Sequence, residues 1–129
     1  MLLDTHVLLW LLADDRAFGP EARRAVSAST AVHVSAASIW EIAIKAELGK
    51  LDVPDDLVDR VDEAGVRIIP VTHRHAWATR QITGFPRRDP FDRMLVAQAA
   101  TEQIPFLTAD RALLGAELAP EITVLDARA

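Results

Sequence analysis

The chain has 129 residues, half of them hydrophobic, which is the length of one domain with enough apolar surface for a real core. With no cysteine it excludes a disulfide framework and a thiolate metal site and fits a reducing compartment, so the cytoplasm is the expected location. The net charge of −5 argues against a general nucleic-acid coat, and with no basic leader and no apolar run longer than Val7 to Ala13, neither secretion nor a membrane span of ~20 residues is expected.

Short β-like runs alternate with longer helical ones, which predicts an α/β domain over residues 1–129 with a central, mainly parallel sheet. Leu2 to Asp4 reads as the first strand, and a helix follows from Thr5 or His6 to Ala13, ended by Asp14-Asp15. That helix is apolar at six consecutive positions, Val7 to Leu12, so part of it should face a protein partner or be wholly covered. Pro20 opens a second helix reaching Ser27, Val32 to Val34 is the next strand, and Ser35 or Ser38 caps a helix that stops at Gly49. Pro54 opens a helix over 55–64 closed by Gly65, Arg67 to Ile69 is a strand, and Thr72 caps a helix from His73 to Gln81. Asp89 with Pro90 behind it starts a helix to about Glu102, Phe106-Leu107 is a strand, Asp110 starts a short helix ending near Gly115, and Thr123 to Leu125 closes the sheet.

Four carboxylates stand out in this layout. Asp4 and Asp110 follow strands, where residues of an open parallel sheet converge on one crevice, and Glu41 and Asp92 can reach the same edge from their helices. An all-oxygen set without His or Cys at ligand spacing suits Mg²⁺ or Mn²⁺ rather than Zn²⁺. Each acid also has a structural reading: Asp4 and Asp110 as helix caps, Asp89 and Asp92 as cap and first-turn acid, Glu41 as the partner of Lys45 four residues on. Glu41 is the hardest to explain structurally, because Ile39, Trp40, Ile42 and Ile44 flank it and a buried carboxylate needs more than one lysine for company. His6, His33, His73 and His75 are scattered, and none reads as a ligand.

Charge is uneven along the chain. Residues 52–64 carry six acids against Arg60, whereas His73 to Arg93 carries five arginines, the last three being Arg87, Arg88 and Arg93, leading straight to Asp92. Arginines beside a carboxylate-bound cation suit a phosphate-bearing substrate, and Arg87, Arg88 and Arg93 are the candidates for backbone contact. An ordinary solvated loop is the alternative.

Four blocks, Leu2-Leu3-Asp4-Thr5-His6-Val7-Leu8-Leu9-Trp10, Ser38-Ile39-Trp40-Glu41-Ile42-Ala43-Ile44-Lys45, Arg88-Asp89-Pro90-Phe91-Asp92-Arg93-Met94 and Leu107-Thr108-Ala109-Asp110, resemble the successive motifs of PIN-domain ribonucleases of the VapC toxin type. The resemblance implies a three-layer α/β/α fold and an acidic pocket in which Asp4, Glu41, Asp92 and Asp110 bind Mg²⁺ or Mn²⁺, with Asp4 and Asp92 as direct ligands and Thr5, Asp89 and Thr108 in support. It implies a metal-activated water that hydrolyses RNA phosphodiesters, and a toxin, usually homodimeric and open to higher assembly, that is held inactive by an antitoxin protein lying across the groove. Two other readings compete: a PIN-fold binding module without turnover, since fold alone does not prove activity, and a metal-dependent phosphatase of another α/β fold. The latter would want a second acid two residues after Asp4, where this chain has His6.

Overall fold

Five short parallel strands form one sheet in the computed structural model, which describes residues 1–86 and 89–129. They are β1 (Leu2–Leu3), β2 (His33–Ser35), β3 (Arg67–Ile69), β4 (Phe106–Thr108) and β5 (Val124–Asp126), in the order β3-β2-β1-β4-β5. Every pairing is parallel, from Leu2 opposite His33 and Phe106 in the centre to Thr108 opposite Asp126 at the edge, so the expected mainly parallel sheet is wholly parallel.

Seven helices lie among the described residues: α1 (Thr5–Ala13), α2 (Pro20–Ala28), α3 (Ala36–Glu47), α4 (Leu57–Glu63), α5 (His73–Ala78), α6 (Pro90–Glu102) and α7 (Arg111–Leu114). They cover both faces of the sheet, and that is why β1, at its centre, is apolar at both positions and Phe106-Leu107 of β4 beside it is apolar in succession rather than alternately. Side chains on a strand point to opposite faces, so Leu3 enters a core with Val7, Leu8, Phe18, Val34, Ile42 and Val61, while Leu2 enters the other with Ile69, Leu95, Val96, Phe106 and Leu113. These two cores are the layers of the α/β/α sandwich.

The apolar run of α1 is covered in part inside the chain. Val7 and Leu8 are buried, Leu9 to Leu12 are half-buried against the first core, and none of the six is exposed.

Helix boundaries depart from the expected ones where a side chain chose another bond. Ser35, not Ser38, caps α3 by accepting from the Ala37 amide at 3.0 Å, and Ser38 instead accepts the Thr5 hydroxyl at 2.9 Å. The helix expected over 55–64 begins two residues late, since the Asp56 carboxylate pairs with Arg60 at 2.8 Å and caps nothing. The helix expected to run to Gln81 tightens after Ala78 into a 3₁₀ turn, Thr79–Gln81, where the Thr79 hydroxyl donates back to the Ala76 carbonyl at 2.7 Å. Strand ends shift by a residue, within the usual scatter of such boundaries.

The chain builds β1, β2 and β3 outward on one side and then returns to place β4 and β5 on the other. The direction of progression reverses between β1 and β4, and the crevice at the carboxyl ends of these strands is where an open α/β sheet offers a site.

Candidate functional site

That crevice is an acidic pocket of about 440 Å³. Asp4 enters it from the end of β1, Glu41 from α3, Asp89 and Asp92 from the start of α6, and Asp110 from the turn between β4 and α7. The fold thus brings together all four carboxylates singled out in the sequence, with Asp89 as a fifth.

The capping bonds expected of three of them are present as well. Asp4 Oδ1 accepts from the Thr5 amide at 2.7 Å, Asp89 Oδ1 from Phe91 and Asp92 at 2.9 and 3.2 Å, and Asp110 Oδ1 from Ala112 at 2.9 Å. Three helix N-termini, of α1, α6 and α7, therefore meet at one pocket, each with a carboxylate on its positive end. Capping and a functional role do not compete here, because each cap occupies one oxygen and leaves the geometry of the other defined.

Asp4 is the most constrained member. It is 9% exposed, and the Thr108 hydroxyl donates to its Oδ2 at 2.6 Å while accepting from the Asp110 amide at 3.0 Å. Burial pushes the Asp4 carboxyl above its ordinary value, the Thr108 and Thr5 hydrogen bonds oppose this, and the negative charge of Glu41 adds to the rise. Thr5 is buried and ties α1 to α3 through Ser38, and Thr108 joins Asp4 to the Asp110 turn, so both flank the carboxylates.

Glu41 is 5% exposed, midway along α3. Its Oε2 accepts from Lys45 Nζ at 2.8 Å, while Oε1 is buried and has no hydrogen-bond partner among the described residues. A buried charged oxygen left unmatched is costly, and a cation or a protonated group would satisfy it. Lys45 is held above its ordinary value mainly by the Glu41 hydrogen bond, with Asp89 and Asp92 contributing, so it stays charged and offsets part of the carboxylate repulsion. We expect Lys45→Ala to destabilise the fold by about 1–2 kcal/mol in urea denaturation at neutral pH, less than a fully buried pair would lose, because the lysine side chain is 39% exposed.

The donor set fits a hard divalent ion. Among the described residues no three acidic or imidazole side chains are gathered tightly enough to ligate one ion as they stand. Mg²⁺ does not require that, since it is ordinarily held by one or two carboxylates, several waters and a substrate phosphate. The carboxylates on the pocket wall offer oxygens of that kind.

The arginine expectation fares differently. Arg93 is not on the pocket wall: its Nε donates to the Thr79 carbonyl at 2.8 Å and its Nη2 to Ile82 at 2.7 Å, and its guanidinium lies 5.7 Å from the Phe85 ring centre. It ties the 3₁₀ turn to α6. Arg87 and Arg88 lie outside the described residues. Two cations that sequence reasoning did not assign to the pocket do line it, Lys45 and Arg128, together with His6 and Trp10. The spacing of Lys45 from Glu41 was visible in the sequence, whereas no local pattern marks Arg128. A larger cavity, about 650 Å³, opens at the opposite, amino-terminal edge of the strands beside Ala31, Val32 and Val66 and takes in none of these carboxylates.

The PIN domain family model matches residues 1–116. No relative was found among curated proteins. Among solved structures the fold is similar to VapBC2 from Rickettsia felis bound to a DNA fragment from their promoter, with TM-score 0.70 and 10% identity over 97% of this chain and 96% of that one. It is also similar to DNA-bound VapBC from Salmonella typhimurium, TM-score 0.69 and 18% identity over 97% and 96%. FitAcB from Neisseria gonorrhoeae follows with TM-score 0.60 and 19% identity over 96% and 95%. With the family model spanning nine-tenths of its length and the carboxylates gathered at the β1–β4 switch point, this chain belongs to the PIN domain family.

Proposed function

We propose that the chain is a divalent-metal-dependent endoribonuclease, the toxin of a toxin–antitoxin pair, acting as a single PIN unit over residues 1–129. The observation that carries this reading is the convergence of Asp4, Glu41, Asp92 and Asp110 on one pocket, with Asp4 buried and one Glu41 oxygen unmatched. The toxin assignment is supported by the fold's likeness to the VapBC and FitAcB structures, and from it follow an antitoxin protein as partner, a homodimer open to higher assembly, and a cytoplasmic setting.

In this reading Asp4 and Asp92 hold Mg²⁺ or Mn²⁺, with Glu41 and Asp110 completing the set directly or through water. A bound divalent cation would supply a water of lowered pKa and neutralise charge on the phosphate. The protein's own contributions are positional. Thr108 and the Thr5 amide fix the two Asp4 oxygens, so the carboxylate does not rotate away when substrate arrives. Glu41 Oε1, with no other hydrogen bond to satisfy, accepts the proton of the attacking water, and Lys45 keeps the Glu41 carboxylate in place through Oε2. The water oxygen bonds to phosphorus as the bond from phosphorus to the leaving sugar oxygen breaks, and that oxygen takes a proton from solvent water, so no side-chain nucleophile and no cyclic phosphate are involved.

The deciding experiment treats total cellular RNA with the purified protein, in Mg²⁺ and in chelator, and identifies the product ends. Discrete cuts that need the metal and leave no cyclic phosphate support the proposal. Cyclic phosphate ends, or cutting that persists in chelator, would sink the metal-water mechanism; no cutting in any condition, with antitoxin shown to be absent, favours a binding module.

A further inference from the structure

Arg128 lies beyond the residues matched by the PIN family model, yet its side chain stands on the wall of the carboxylate pocket. Its guanidinium packs over Trp10, 5.4 Å from the ring centre, and its Nη1 donates to the carbonyl of Ala109, the residue before Asp110.

The backbone around it is held independently of that side chain. The Ala127 amide donates to Thr108 at 2.8 Å, the Gly19 amide to Ala127 at 2.9 Å, and the Glu21 and Ala22 amides at the start of α2 to the Ala129 oxygen at 3.0 and 3.2 Å. The approach to Gly19 is close enough that a β-carbon there would sit 1.9 Å from the Ala129 oxygen. The Arg128 side chain is thus not what fastens this segment. Ordering an arginine in the open costs side-chain entropy, and here the cost falls on an exposed residue at the rim of a site.

An RNA backbone entering five carboxylates meets repulsion. Among the described residues lining the pocket, the lysine and arginine cations are Lys45, which is bonded to Glu41, and Arg128, whose guanidinium gives one N–H to Ala109 and has four others, a fork that suits paired phosphate oxygens. We propose that Arg128 is a substrate-binding residue that takes the RNA phosphate next to the one that reacts. This rests on the nuclease reading of the pocket.

The test compares wild type, Arg128→Ala and Arg128→Lys on a short RNA carrying a mapped cut, and measures RNA binding in chelator across a salt series. The expected result for Arg128→Ala is a KM raised about tenfold with kcat within about twofold, and a salt dependence shallower by about 0.7 in log–log slope. Arg128→Lys should recover part of the binding, since a lysine keeps the charge but not the fork. Unchanged KM and salt slope in a variant that melts like wild type overturn the proposal and leave the nuclease reading standing, because both proteins still cut. A fall in kcat at constant KM also overturns it, by making Arg128 a positioning residue. A wild type that cuts no RNA removes the nuclease reading and this proposal with it.

Discussion

On the nuclease reading, Asp4→Asn is expected to reduce RNA cleavage by about a thousandfold, the scale of losing one preorganised charged group at a reacting centre, and to make the metal-free protein more stable rather than less. Both effects have one cause. The Asp4 carboxylate is 9% exposed and its burial disfavours the charged form more than the Thr108 and Thr5 hydrogen bonds favour it, so an uncharged isostere relieves a net cost that a bound cation would otherwise offset. Asparagine keeps the shape: its oxygen can still accept from the Thr5 amide, and its amide can donate to the Thr108 hydroxyl, which then accepts twice and gives up the acceptor for its own hydrogen, a loss that offsets part of the gain. Thermal melts in chelator should show a higher midpoint for the variant, together with the loss of activity in Mg²⁺. A lower midpoint would mean that Asp4 is there to cap α1.

The same shift sets a pH dependence. Because the folded-state value of Asp4 is raised, the folded protein binds more protons than the unfolded chain between the ordinary carboxylate value and the raised one. Through that window the Asp4 contribution to the stability of the metal-free fold grows as pH falls and is lost as pH rises. On the nuclease reading protons also compete there with the cation, so a pH–rate profile of RNA cleavage is expected to decline on acidification.

Glu41→Gln is the second large effect. We expect cleavage to fall by about a hundredfold and the Mg²⁺-induced rise in melting temperature to shrink toward nothing, since a ligand that binds only the folded state stabilises it by mass action. The reasoning starts from the unmatched Oε1: at 5% exposure a carboxylate oxygen without a hydrogen-bond donor is poised for a cation or a proton, and glutamine supplies neither the charge nor the basicity. Lys45, whose side chain is 39% exposed, is rehydrated when its partner is neutralised, so the variant should still fold. A Glu41→Gln protein that responds to Mg²⁺ as wild type does would show that Glu41 is paired to Lys45 for structural reasons alone.

Much of this molecule was legible from local pattern. Asp4, Asp89 and Asp110 announced helix starts, Gly49 and Gly65 marked ends and both have positive φ, and Leu2-Leu3 and Phe106-Leu107 read as strands buried on both faces. Glu41 stood out because a charge among Ile39, Trp40, Ile42 and Ile44 needs a reason. These signals act over three or four residues or over the length of one strand, and a linear reading captures them. Where two bonds of similar strength competed, pattern did not decide: Ser35 and Ser38 were both plausible caps, and only the position of Thr5 across the α1–α3 contact assigns Ser38 to its hydroxyl.

The sequence by itself determined the alternation of strands and helices and the acids that follow the strands, because hydrophobic period and capping chemistry are local. The tertiary structure decided which cations serve those acids. Arg93, beside Asp92 in the chain, is turned to the Thr79 and Ile82 carbonyls. Arg128, 18 positions beyond Asp110, reaches the pocket because β5 pairs with β4 and the carbonyls of Ala127 and Ala129 are bonded at the start of α2. Strand order and long-range backbone bonds bring such residues together, and neither is written in the spacing of neighbours along the chain.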